Sequence, residues 1–231
     1  MRSAGGSERP RTRESFNTVA GLYDRYRRGY PREIVDQMMA DARIGTGSRV
    51  LEIGPGTGQL TVPVLERGAA VTAVELGEAL AAVVRQKTNR FPHGEIVVSS
   101  FEDWALPSQP FDAVIAATSF HWLDPAVRAD KCAQALRSSG TLLAVYPDID
   151  QCAGFARVER RRIRRTIRYT SDEYAGLLST DSLVLTLDPQ ARTQFLAEIR
   201  SLADPRYGGW VSRDYLYEIV AARKGESGPN P

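Results

Sequence analysis

Apolar residues in this chain follow two periods, and the periods alternate. From Glu14 to Gly29 the positions Phe16, Val19, Ala20, Tyr23 and Tyr26 recur at three- and four-residue spacing, which predicts a helix. Pro31 suits the first turn of a second helix through Ile34, Val35, Met38 and Met39, ending near Gly45-Thr46-Gly47. Short apolar runs then predict strands at Arg49–Ile53, Ala70–Val74, Ile96–Ser99, Phe111–Ala116 and Thr141–Tyr146. Between them, Leu60–Glu66 reads as a helix closed by Gly68, and Ala79–Thr88 as another. Ala126–Leu136 reads as a third, closed by Ser138-Ser139-Gly140. This alternation predicts an α/β fold, a parallel sheet covered on both faces.

The last third is less regular. Phe155–Tyr169 carries arginines at 157, 160, 161, 162, 164, 165 and 168 and fits a solvated strand or helix face. Asp172–Leu178 and Pro189–Ser201 read as helices. Tyr207-Gly208-Gly209 reads as a turn, and Tyr215–Ala222 as a final strand. Residues 1–13 and Gly225–Pro231 have no apolar pattern, and disorder is expected there. No repeat or linker divides the chain, so one domain is expected: a helical segment over 14–45, a core over 46–146 and a substrate-side segment over 147–224.

Composition narrows the function classes. A chain of 231 residues can bury one sizeable core, and 42% apolar with 25% charged residues is ordinary for a globular protein. A net charge of +2 is too small to argue for nucleic acid. The basic residues are almost all Arg, with Lys only at 87, 131 and 224. Cys132 and Cys152, with His93 and His121, form neither a disulfide framework nor a metal pattern. The polar, Arg-rich start lacks the apolar stretch of a signal peptide, and no run approaches a membrane span. A cytoplasmic enzyme without a metal or a membrane partner is expected.

The chemistry sits at strand ends. The first strand runs into Gly54-Pro55-Gly56-Thr57-Gly58, where glycines let the backbone turn sharply and approach a ligand. In an open α/β sheet this is where ligands sit, at the carboxyl ends of the strands. A dinucleotide fingerprint would need a third glycine at Gln59 or at Thr61, and neither position has one. Glu75 ends the second strand. Its acceptor-only carboxylate suits a ribose 2′,3′-diol and rejects a 2′-phosphate. The third strand is followed by Ser99-Ser100-Phe101-Glu102-Asp103-Trp104, where a polar side chain and a backbone N–H can read an adenine edge.

Together these residues resemble the class I S-adenosylmethionine-dependent methyltransferases. Leu51–Gly58 is similar to their first motif, Glu75 to their second-strand acid, and Ser100–Asp103 to their adenine-edge motif. Phe111-Asp112-Ala113-Val114 resembles their fourth strand, and Leu136–Leu142 their Leu-Arg-Pro-Gly-Gly turn. Tyr174–Thr180 and Gly208-Gly209 resemble segments of a small-molecule branch. The resemblance implies a Rossmann-like doubly wound sheet of seven strands, the last antiparallel, with an N-terminal helical lid. It implies S-adenosyl-L-methionine as cofactor, held by Glu52, Gly54, Pro55, Gly56, Gly58, Glu75, Leu76, Ser100, Phe101, Glu102 and Ala117. The chain departs from the family at Ser100, where many relatives carry Asp, and at Ser139-Gly140, where they carry a glycine pair.

On the acceptor side the resemblance implies Tyr23, Tyr30, His121, Trp122 and Tyr146. His121, in Thr118-Ser119-Phe120-His121-Trp122, is the candidate general base, since imidazole titrates near neutral pH. The implied activity is methyl transfer to an O, N or C atom of a small molecule such as a secondary metabolite. Two other readings stand beside it. One is a methyltransferase-like fold with a non-methylating role, as a cyclase or cofactor-binding protein; the other is an RNA methyltransferase, with only the arginine run in its favour. Glu52 suits a purely structural hydrogen bond near the turn as well as it suits a ligand. The short connection after Tyr146 points to an open acceptor pocket, and a homodimer is compatible with the sequence.

Overall fold

A computed structural model describes residues 14–145 and 155–225. The expectations for residues 1–13, for Tyr146 and the connection after it, and for the tail beyond 225 lie outside the described residues. Seven strands form one sheet in the order β3-β2-β1-β4-β5-β7-β6. They are β1 (Arg49–Ile53), β2 (Ala70–Glu75), β3 (Gly94–Val98), β4 (Phe111–Ala117), β5 (Leu136–Val145), β6 (Phe155–Thr170) and β7 (Trp210–Lys224). β3, β2, β1, β4 and β5 pair in parallel, and β7 runs antiparallel to β5. The sheet is the Rossmann-like one expected, antiparallel last strand included.

Two compact units divide the described chain. The larger comprises Gly29–Ile163 and the end of the chain from Tyr217. It holds β1–β5 with the helices α2 (Arg32–Ala42), α3 (Thr61–Glu66), α4 (Glu78–Thr88) and α5 (Arg128–Ala135). Its central strands are apolar on both faces, because crossover helices cover both. Val50, Leu51, Ala113, Val114, Leu142 and Leu143 are all fully buried. Order on the sheet reverses between β1 and β4, so their carboxyl ends open a crevice at the switch point.

The smaller unit comprises the chain up to Arg28 and Arg164–Leu216. Its helices are α1 (Ala20–Tyr26), α6 (Ser171–Leu178), α7 (Ser182–Thr186) and α8 (Pro189–Tyr207). Thr170 and Glu173 form a reciprocal capping box at the start of α6. Asp188 caps α8 through the Gln190 and Ala191 N–H groups, and Gly208 ends it in the left-handed conformation at φ 60°. α1 packs on α6 where Gly176 has no side chain: a Cβ there would stand 2.4 Å from the Tyr26 ring. Gly176→Ala is expected to destabilise this unit by roughly 1–3 kcal/mol, since the ring must move. Thermal unfolding of the variant against the parent checks this, and an unchanged midpoint would show that Tyr26 yields freely.

Three sequence expectations are corrected. Residues 14–29 do not form one helix: a 3-10 turn, Phe16–Val19, precedes α1, and Val19 breaks the run at φ −123°, ψ 23°. Thr18 Oγ1 donates to the Ser15 carbonyl at 2.7 Å, a local bond that competes with helical pairing. Secondly, Ser138-Ser139-Gly140 is not a turn closing a helix but part of β5, which starts at Leu136. Leu136 pairs with Phe111, the register then slips before Ala113, and Ser139 stands at φ 60°. Gly140 sits there because a Cβ would lie 2.9 Å from the Arg137 carbonyl and 3.1 Å from that of Asp112. Thirdly, β7 and α8 run further than the apolar pattern indicates.

The arginine run is strand β6, the last strand at one edge of the sheet. Charge along an exposed edge discourages pairing with another chain. Arg162 and Arg160 lie 2.9 and 3.8 Å from Glu218, and Arg161 lies 3.1 Å from Asp41. Such exposed pairs contribute little to stability. No described helix is long and apolar enough to cross a membrane.

Candidate cofactor site

The glycine turn follows β1 at the switch point. Gly54, Gly56 and Gly58 all hold positive φ, at 67°, 59° and 91°. Side chains rarely adopt this region. Space enforces the glycines as well. A Cβ on Gly54 would stand 2.7 Å from the Ser119 Cβ, and one on Gly58 would stand 3.0 Å from Val84 Cγ2. Ser119 reaches across from the end of β4, and its hydroxyl donates to the Ile53 carbonyl. The loops after β1 and β4 are thereby joined.

Glu75 ties the turn to the end of β2. Its Oε2 accepts the Gly56 N–H and its Oε1 the Gly77 N–H, each at 2.9 Å. The side chain is only 6% exposed. Each carboxylate oxygen can accept more than one hydrogen. Leu76 follows, half-buried. Lys87 of α4 donates to the Thr57 carbonyl at 3.0 Å and braces the far side of the turn. Gly58 N–H closes back on the Pro55 carbonyl at 3.0 Å.

Glu52 lies beneath the turn and is 2% exposed. Among the described residues neither its Oε2 nor the buried Thr61 Oγ1 has a hydrogen-bond partner outside this pair. Burial pushes the Glu52 carboxyl up to about 7; the Thr61 hydroxyl opposes this and the charge of Glu75 adds to it. A buried carboxyl with an orphan oxygen is unusual in a purely structural role. It fits a site whose ligand brings a donor or a positive charge.

The segment expected at the adenine edge follows β3. Ser99 N–H donates to the Glu75 carbonyl at 3.0 Å, which joins the ends of β3 and β2. Ser100 and Glu102 are engaged locally: the Ser100 hydroxyl bonds Asp103 Oδ2 at 2.6 Å, and Glu102 Oε1 accepts the Asp124 N–H at 3.1 Å. Phe101 buries its ring in the core, with Lys131 Nζ 5.4 Å from the ring centre. Ala117 ends β4, and Thr118 beyond it holds φ 59°, a strained conformation for a β-branched residue.

His121 lies on a 3-10 turn, Phe120–Trp122, just past β4. It is exposed, with its ring 4.9 Å from that of Trp122. Tyr30 belongs to the same unit and packs edge-on against Tyr217 at 6.1 Å. Tyr23 belongs to the smaller unit, packed against Phe16 at 5.9 Å, and Tyr146 lies outside the described residues. The larger unit thus gathers Glu52, Gly54, Pro55, Gly56, Gly58, Glu75 and Leu76 around one turn, with Ala117 on the strand beside it. Sequence reasoning missed Ser119, Gly77, Thr61 and Lys87 as members. Ser119 and Lys87 find their partners 66 and 30 positions away, further than a short motif spans, and Gly77 acts through a backbone N–H that leaves no side-chain signal.

Comparison with known proteins agrees with this geometry. Residues 51–144 match the family model of a methyltransferase domain. An uncharacterised methyltransferase of Mycobacterium tuberculosis is 29% identical over 213 residues, covering 81% of this chain and 85% of that protein. Over this stretch the chain is similar to methyltransferases. Two solved methyltransferases share the fold at lower identity. An N-methyltransferase of Haemonchus contortus, in complex with phosphomonomethylethanolamine and S-adenosylhomocysteine, aligns at TM-score 0.57 and 16% identity, over 91% of this chain and 58% of its own. A SAM-dependent O-methyltransferase of Thermotoga maritima aligns at 0.55 and 15%, over 87% and 68%.

Proposed function

We propose that this chain is a methyltransferase that uses S-adenosyl-L-methionine to methylate an oxygen, nitrogen or carbon atom of a small molecule, with secondary metabolites the favoured acceptor class. The observation that carries the reading is Glu75, a buried carboxylate that spans Gly56 and Gly77 at the mouth of the crevice. Its acceptor-only oxygens suit the ribose diol. The backbone of Gly54–Gly58 would hold the amino-acid end with Glu52 beneath it, and Leu76, the Phe101 backbone and Ala117 would hold the adenosyl group. When bound, the cofactor supplies a sulfonium methyl already activated for in-line displacement. The chain's own task is then to align the acceptor and exclude water.

His121 is the base of this reading for the remaining step, removal of the acceptor proton, with Trp122 and Tyr30 its acceptor-side residues. An acceptor that loses a proton during transfer needs such a base; a carboxylate acceptor does not. His121→Ala should lower kcat by about 10²–10⁴-fold with cofactor affinity unchanged. Intact turnover in that variant would remove His121 from the proton step. The activity itself is tested by incubating the protein with labelled S-adenosyl-L-methionine and candidate acceptors and following S-adenosylhomocysteine formation. Binding without transfer to any acceptor class would favour a non-methylating role.

A further inference from the structure

Glu52 and Thr61 are two buried polar side chains under the turn whose oxygens Oε2 and Oγ1 have no partner outside the pair among the described residues. Thr61 is the first residue of α3 and fully buried. Across the sheet Glu52 is flanked by Ala73 on β2 and Ile115 on β4, neither of which ionises. The groups that act on its charge are the Thr61 hydroxyl from α3 and the Glu75 carboxylate from the end of β2. Glu75, 6% exposed, thus adds a like charge to the burial of Glu52, 2% exposed. A carboxylate so placed is held more cheaply as the neutral acid until a positive charge arrives.

We propose that Glu52 holds a proton in the ligand-free protein and releases it to solvent when the ammonium of the S-adenosyl ligand's amino-acid end binds, with Thr61 as the positioning residue that sets how tightly the proton is held. The inference rests on the cofactor reading above. Below neutrality the site is filled by its own proton and must be emptied for the ammonium to bind. Above neutrality the carboxylate is ready, and the ligand's charge replaces the proton's. The linkage also acts on the empty fold. Because the folded-state value is raised, the stability contributed by neutral Glu52 is complete below the ordinary carboxylate range and is lost as pH rises through about 7.

The test uses the full chain and two probes, S-adenosylhomocysteine and 5′-methylthioadenosine, which has no amino-acid end. For S-adenosylhomocysteine the Kd is expected to tighten about tenfold between roughly pH 6 and pH 8, with proton release detected by calorimetry in buffers of different ionisation enthalpy. For 5′-methylthioadenosine the Kd stays flat. Glu52→Gln removes the pH dependence attributable to the site and leaves that of the ligand alone. Thr61→Val moves the midpoint to higher pH and Thr61→Ser restores it, whereas a purely packing role for Thr61 would leave the midpoint where it is. Equal pH profiles for the two probes, or for the parent and Glu52→Gln, overturn the proposal. Failure of either probe to bind at any pH overturns the cofactor reading instead. The proton on Glu52 is then decided by ligand-free unfolding: the parent must lose stability relative to Glu52→Gln as pH rises from 4.5 to about 7, and parallel curves over that window overturn it.

Discussion

Glu75→Ala is expected to weaken S-adenosylhomocysteine binding by about a hundredfold or more, since hydrogen bonds to a charged group are worth roughly 1.5–3 kcal/mol each and two hydroxyls lose their acceptor. The loss has a second source in the empty protein. Glu75 holds the N–H groups of Gly56 and Gly77, so truncation leaves two donors at the mouth of the crevice without their carboxylate. The turn is then less well fixed before any ligand arrives. Glu75→Gln keeps one acceptor oxygen and presents an NH₂ where the other stood, so its affinity should fall between parent and Ala variant. Calorimetry at fixed pH measures all three. Unchanged affinity for Glu75→Ala would remove the residue from the site and, with it, the diol argument for an adenosyl ligand.

Gly54→Ala is expected to cost about 3 kcal/mol of stability and to abolish measurable cofactor binding. Two strains add there. A side chain at φ 67° carries roughly 1–2 kcal/mol, and the new methyl group stands 2.7 Å from the Ser119 Cβ, which cannot rotate away. Ser119 is anchored through its hydroxyl to the Ile53 carbonyl, so its retreat also breaks that bond. Combining Gly54→Ala with Ser119→Gly relieves the contact but not the backbone strain. The double variant should therefore recover part of the stability lost by Gly54→Ala, as a denaturant midpoint will show. Ser119→Ala keeps the offending Cβ and should give no rescue. Equal stability of Gly54→Ala and the parent would mean that the turn relaxes around the methyl group.

Local order was legible in the residues because it depends on near neighbours. The five parallel strands and the helices between them follow from apolar runs and their periods, since a strand buried on both faces must be apolar throughout. The glycine turn, Glu75 and the absent third glycine were readable for the same reason: one strand, one turn and one acid define them. Other features needed the chain folded. The apolar pattern could not tell that Ser138-Ser139-Gly140 continues a strand, because the register slip is set by Phe111 and Asp112 on the neighbouring strand. Nor could it choose between strand and helix for an arginine run whose neighbours at Asp41 and Glu218 are remote. The joint burial of Glu52 and Thr61, and the clamp of Ser119 on Gly54, exist only once the chain is folded and the ends of β1 and β4 lie side by side. Motif spacing records which residues turn the chain. The solvation of a carboxyl, and hence its charge, is fixed by what the rest of the fold removes from around it.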